Sequence, residues 1–304
     1  MDLVSELKQG KRRAIARAIS AIENDEKQAK VLIKKIFKNS GKSITIGITG
    51  PAGAGKSTLI NKTSLELKKL GYKTAVLAID PTSHITGGAI LGDRVRMTES
   101  TDSGTYIRSM ASRGATGAIS SSLRNSIRIL EFAGFDPIII ESVGAGQTEV
   151  DISRIVDVTV VVFNPNTGDN IQTIKAGMSE IGDVYLINKS DLQGANQLFD
   201  SVRDFIGMSD TNPTIMMTSA KSNKGITELA KKLKELVEAK RKTKKSQEQS
   251  RLEAELRDIV LNNVKNKVST MLDSSNTYSK YLKKVQSREL DPFEAAAKIS
   301  KMIK

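Results

Sequence analysis

Apolar positions along this chain recur in two rhythms. Short runs rich in β-branched residues fall at 43–49, 74–80, 105–108, 137–141, 158–163, 184–188 and 214–218. Their length and their Val, Ile and Thr content predict buried strands. Between most of them, apolar residues return every three or four positions, at 57–70, 119–132, 170–181 and 193–206, and again at 226–239. That spacing predicts helices. Strand and helix alternating in this way imply an α/β fold, with a mostly parallel central sheet flanked by helices on both faces. Two further helices are expected before residue 40, one carrying Ile15, Ile19 and Ile22, the next Val31, Leu32, Ile36 and Phe37. No strand pattern follows residue 218. Instead Leu252, Leu256, Ile259, Val260, Val264, Val268 and Met271 line one helical stripe, and Tyr278, Tyr281, Leu282 and Val285 suggest a second helix. Asp291-Pro292 suits the cap and first position of a third.

In such a sheet, ligands meet the carboxyl ends of the strands. The run 43–49 leads directly into Gly50-Pro51-Ala52-Gly53-Ala54-Gly55-Lys56-Ser57, and a helical pattern follows at once. Strand, glycine-rich loop and helix together form a phosphate-binding P-loop. The glycines let backbone N–H groups turn inward around phosphate oxygens, and the helix N-terminus adds partial positive charge. Gly53, Ala54, Gly55, Lys56, Ser57 and Thr58 are the candidate phosphate contacts. Lys56 is expected at the terminal phosphates and Ser57 on Mg²⁺, with the nucleotide.

Further strand ends carry polar groups. Asn188-Lys189-Ser190-Asp191 is an N-K-x-D turn, which suits guanine. The carboxylate of Asp191 can accept from the base's N1–H and 2-amino group, a donor pair that adenine lacks. Ser219-Ala220-Lys221, after the last strand, offers backbone to the same base. Asp80 and Glu141 end strands beside the P-loop, where a carboxylate can hold Mg²⁺ or its waters. Asp93, in Gly92-Asp93-Arg94-Val95-Arg96, is a further candidate carboxylate. Gly144 and Gly146 after Glu141 make a hinge able to sense the terminal phosphate, and Gln147 is a candidate for positioning water.

Composition narrows the field. There is no cysteine and a single histidine, His84, so a transition-metal site is not expected and His84 reads as a loop residue. No apolar run approaches the roughly 20 residues that span a bilayer. The first residues carry acids and lack a signal peptide's apolar core, so a soluble cytoplasmic location and no membrane partner are expected. The net charge of +13 raises the question of a nucleic-acid partner. Much of it lies at 231–245, without interleaved aromatics, so that stretch is expected to be a solvated lysine-rich helix end and linker, with no nucleic acid bound.

With these motifs in place, the chain resembles the MeaB/ArgK family of GTPases, to which the methylmalonic aciduria type A protein belongs. The likeness covers nearly the whole length. It runs through Arg12-Arg13-Ala14-Ile15, Asp80-Pro81-Thr82-Ser83 and Gly92-Asp93-Arg94-Val95-Arg96-Met97, then Arg108-Ser109-Met110-Ala111. It continues through Glu141-Ser142-Val143-Gly144-Ala145-Gly146-Gln147, Gly168-Asp169-Asn170-Ile171-Gln172 and Asp291-Pro292-Phe293-Glu294. The resemblance implies GTP hydrolysis, a homodimer formed through helical extensions, and a role in loading or protecting adenosylcobalamin-dependent methylmalonyl-CoA mutase or a related acyl-CoA mutase. It also implies that Asp80, Asp93 and Glu141 surround Mg²⁺. Asp169 would lie in a third switch, and Lys175 would respond to the partner. His84-Ile85 stands where the family usually has Pro-Phe, Asn164-Pro165-Asn166-Thr167 is more polar than usual, and Ala118 replaces a common glycine.

The expected organisation is an N-terminal helical segment at 1–40, a P-loop GTPase domain at 41–242 and a helical dimerisation extension at 243–304. The principal alternative activity is a P-loop kinase passing the γ-phosphate to a protein or small molecule. A nickel-delivery GTPase would need Cys or His ligands, and this chain has no Cys and one His.

Overall fold

The computed structural model describes residues 2–80, 104–111, 116–142, 152–166, 181–206 and 213–301. They fall into two units, Met1–Ser246 and Gln247–Lys304.

The first unit is built on seven strands: β1 (Thr45–Thr49), β2 (Ala75–Asp80), β3 (Tyr106–Ala111), β4 (Ile138–Glu141), β5 (Val158–Phe163), β6 (Val184–Ile187) and β7 (Thr214–Met217). Their order is β3-β2-β4-β1-β5-β6-β7, and every pairing is parallel. Every residue of β1, β4, β5 and β6 is buried. That explains why these strands read as continuous apolar runs instead of alternating ones.

Strand alternation sends neighbouring side chains to opposite faces. Ala75, Leu77, Ile79, Ile138 and Ile140 meet the N-terminal helices α1 (Leu3–Lys8), α2 (Arg12–Asn24) and α3 (Glu26–Ile36), together with the later helix α5 (Thr116–Phe132). Val76, Ile139, Ile46 and Ile48 meet α4 (Lys56–Lys69) and the start of a long helix on the other face. Helix α6 (Ala195–Ile206) covers Val161, Phe163, Tyr185 and Ile187. Helices α1, α2 and α3 thus share one hydrophobic core with the sheet. Helix α1 is an addition to the two expected there. The expected helix at 170–181 falls almost wholly outside the described residues.

The long helix, α7 (Ile226–Asp273), corrects the expectation of a linker. It runs unbroken through 231–245. No Gly or Pro interrupts it, and lysine costs a helix little. Leu229, Leu233 and Val237 on its first turns are fully buried, each stabilising by about 1.5–3 kcal/mol. Its basic residues are not all solvated either. Lys240 pairs with Asp183 at 3.0 Å, Arg241 with Asp136 at 2.8 Å and Lys244 with Asp157 at 3.2 Å. The three aspartates precede β6, β4 and β5, at the amino edge of the sheet.

In the second unit α7 is followed by α8 (Asn276–Gln286) and α9 (Pro292–Ser300). Ser275 caps α8 by accepting from the N–H of Tyr278. Asp291 caps α9 by accepting from Phe293 and Glu294, with Pro292 in the first turn. Leu252, Leu256, Ile259, Val260 and Val264 are exposed, Leu256 to 63%. No described helix is long and apolar enough to cross a membrane.

Candidate functional site

The central strand β1 opens into the loop that precedes α4. Gly50 has φ +143°, and a Cβ there would stand 2.1 Å from the carbonyl oxygen of Val162 on β5. Only glycine lets the chain pass this close to the neighbouring strand. Gly55, at φ +86°, is the left-handed N-cap of α4. A Cβ there would meet the side-chain amide of Asn188 at 2.6 Å.

Lys56 opens α4 and is only 7% exposed. Its ammonium donates to the carbonyl oxygens of Gly50 at 2.7 Å and Pro51 at 3.1 Å. It therefore lies across the mouth of the loop, held by acceptors that a phosphate oxygen can replace. Ser57 follows and donates its hydroxyl to Glu141 Oε1 at 2.7 Å, and both residues are buried. Glu141 ends β4, which lies beside β1 in register Ile48↔Glu141. On the far side of β4, Ala78 of β2 is level with Glu141, so Asp80 ends its strand two residues further on. A buried hydroxyl and carboxylate oxygen at the loop mouth are the hard oxygen donors that a small divalent cation takes.

The N-K-x-D side of the candidate site is assembled across long sequence distances. Asn188, 1% exposed, leaves β6 and donates Nδ2 to the carbonyl oxygen of Ala54 at 2.8 Å. Its Oδ1 accepts from Ala220 N and Thr218 Oγ1, each at 3.3 Å. One side chain thus ties the P-loop to the loops that follow β6 and β7. Lys189 takes φ +58°, a left-handed conformation uncommon for a side chain of its size. Asp191 accepts from the Ser219 hydroxyl. That bond, followed by a backbone hydrogen bond, holds its carboxyl below the usual carboxylate value, and the ammonium groups of Lys221 and Lys189 act in the same direction. Thr58 sits part-exposed on the first turn of α4.

The structure therefore brings together Gly53, Ala54, Gly55, Lys56, Ser57, Glu141, Asn188, Lys189, Asp191, Ser219, Ala220 and Lys221. Asp93, Gly144, Gln147, Asp169 and Lys175 lie outside the described residues. Two supporting residues were not anticipated. Thr218 props Asn188, and Ser142 donates to Thr49 at 2.8 Å, linking the exits of β4 and β1. Both are hydroxyl residues at the carboxyl ends of predicted strands, which is the one signal that pointed to them.

This geometry fits a guanine nucleotide, and a family model supplies the lineage. The model for the methylmalonyl-CoA mutase-associated GTPase MeaB matches residues 13–273. The chain belongs to the MeaB family of GTPases. A Pyrococcus abyssi relative is 41% identical across 99% of this chain and 96% of its own length. GTPase ArgK of Escherichia coli is 32% identical, covering 75% of this chain and 73% of its own. A crystal structure of LAO/AO transport system kinase superposes with a TM-score of 0.73 at 26% identity, over 99% of this chain and 96% of that one. This MeaB-family chain is thus a GTPase, hydrolysing GTP to GDP and phosphate, and the kinase alternative finds no support in the family match.

Proposed function

We propose that this GTPase assists the loading or protection of an adenosylcobalamin-dependent methylmalonyl-CoA mutase or a related acyl-CoA mutase. The family's association with methylmalonyl-CoA mutase supports the partner. The observation that carries the nucleotide choice is the bond from Asn188 to the Ala54 carbonyl, which joins phosphate cradle and base loop into one site.

On this reading water attacks the γ-phosphate in line. Lys56 leaves the Gly50 and Pro51 carbonyls and pairs with the terminal phosphates, while backbone N–H groups of 53–58 hold the rest. Ser57, Asp80, Asp93 and Glu141 would hold Mg²⁺. When bound, the ion neutralises charge on the β- and γ-phosphate oxygens. Asp191 accepts from the guanine edge, and Ser219, Ala220 and Lys221 line its other side. Gly144, Gln147, Asp169 and Lys175 are the proposed switch positions through which the nucleotide state reaches the mutase. Residues 243–304 are the proposed dimerisation extension, and the exposed stripe on α7 supports pairing with a second copy.

The test is turnover of GTP and of ATP with and without candidate acyl-CoA mutases. Slow GTP turnover, raised by one mutase and absent with ATP, is expected. A GTP rate indifferent to every saturating mutase would remove the chaperone role, and equal use of ATP would remove the role given to Asp191.

A further inference from the structure

Five consecutive backbone amides lead into β1, and each donates to a carboxylate. The N–H of Gly41 reaches Glu131 Oε2 at 2.7 Å, and those of Lys42 and Ser43 reach Glu131 Oε1. Ile44 donates to Asp136 at 3.0 Å and Thr45 to Asp157 at 2.8 Å. Thr45 and Asp157 are bonded three times more, because the Thr45 hydroxyl donates to the same carboxylate oxygen at 2.9 Å, and the Asp157 N–H is shared between the Thr45 hydroxyl and the Thr45 carbonyl oxygen, each at 3.0 Å.

Helix α7 supplies the countercharge. Arg241 pairs with Asp136, and Lys244 pairs with Asp157 while also donating to the carbonyl oxygen of Ser43. The last pair differs from the other ion pairs of the helix in its burial. The side chain of Asp157 is 3% exposed and that of Lys244 17%. By contrast, Lys232 and Glu235 on the same helix are 31% and 67% exposed. A carboxylate this dry depends on its partner, since removing one member of a buried pair leaves an uncompensated charge.

The pair acts on a strand with little freedom. All five residues of β1 are buried, and ladders from β4 and β5 hold both its sides. Directly after its last residue, Thr49, comes Gly50, which has no room for a side chain against Val162. Only five residues of this strand separate the Asp157 contact at Thr45 from the loop that begins at Gly50.

We propose that Lys244 is a positioning residue for the GTPase site, acting through Asp157 and the Ser43 carbonyl to set β1 and, with it, the loop from Gly50 to Ser57. The proposal rests on the GTPase activity and not on the mutase partner.

The test compares Lys244→Met, Lys244→Arg and, as a control on the same helix, Lys232→Met. Each is measured by fluorescent-GDP titration, by kcat and KM for GTP, and by urea unfolding. Lys244→Met is expected to weaken GDP binding and raise KM about tenfold, equivalent to about 1.4 kcal/mol. Lys244→Arg should return both to near the parent values, and Lys232→Met should match the parent. A Lys244→Met protein that unfolds more easily yet binds GDP with the parent's affinity would show a purely structural role and overturn the proposal. So would equal weakening in all three variants. Should Lys244→Met fail to fold, hydrogen exchange in the parent chain decides, because coupling between two sites is reciprocal. Saturating GDP must slow exchange of the amides of 41–45, and unchanged exchange there overturns the proposal.

Discussion

Asn188 is the residue whose loss should cost the site most outside the phosphate loop itself. Asn188→Ala removes an amide that is 1% exposed. It strands the carbonyl of Ala54 and the N–H of Ala220, which sit in residues 0% and 4% exposed. At about 1–3 kcal/mol for each buried group left unsatisfied, the cost is about 2–6 kcal/mol. That is a large part of the about 5–15 kcal/mol by which folded domains are usually stable. Asn188→Asp tests the same contact without changing shape. It sets an acceptor against the Ala54 oxygen, 2.8 Å away, where a donor stood. It should be destabilising at neutral pH and should recover as the new carboxyl protonates and can donate again. Urea unfolding gives the stability and fluorescent-GDP titration gives the affinity. A stability loss below about 1 kcal/mol in Asn188→Ala, well under the cost of even one clearly orphaned group, with GDP affinity unchanged, would refute the claim that this side chain joins the two halves of the site.

Gly50→Ala should abolish useful nucleotide binding, because its Cβ would stand 2.1 Å from the Val162 oxygen at a φ of +143°. A loss of at least about 100-fold in GDP affinity, about 2.7 kcal/mol, is expected by calorimetric titration, and parent-like binding would show that the loop can move aside. Ser219→Ala should shift the acid limb of GDP binding. The Asp191 carboxyl is depressed below its ordinary value of 3.8, chiefly by the Ser219 hydroxyl. Its charged form therefore contributes fully above that value and is lost only as pH falls through the lower folded value. Removing the hydroxyl should move the acid midpoint upward, and an unmoved midpoint would contradict the assignment. Leu256→Glu, at a side chain 63% exposed, should change chain stability by no more than about 0.5 kcal/mol. If the stripe pairs two copies, light scattering should report a monomer, and an assembly state indifferent to the substitution would count against pairing through this face.

Local rules reached far into this protein. Buried parallel strands announced themselves as β-branched runs, and Gly50, Gly53 and Gly55 marked the loop because backbone turns of positive φ belong to glycine. The placement of Lys56, Ser57, Asn188 and Asp191 at one end of the sheet was legible because each motif is read within a few residues of a strand end. The unbroken course of α7 is also there to be read, in a stretch from 226 to 273 without Gly or Pro, although its density of lysine suggests a helix end running into a solvated linker.

What the chain alone did not disclose is which distant groups meet. Asn188 bonds a carbonyl 134 positions away, and Lys244 finds a carboxylate 87 positions away. Those meetings depend on the order β3-β2-β4-β1-β5-β6-β7, which puts β1 between β4 and β5. Periodicity describes one element and its own faces, and it is silent on which element lies alongside. The sequence by itself determined the elements, the glycine-rich loop and the N-K-x-D turn, since these need only neighbours along the chain. Tertiary structure decided that Glu141 would stand beside Ser57, that Asn188 would lock the cradle to the base loop, and that three basic residues of α7 would hold the amino edge of the sheet. Strand order brings those charges and amides together, and at Asp157, 3% exposed, burial makes the pairing obligatory.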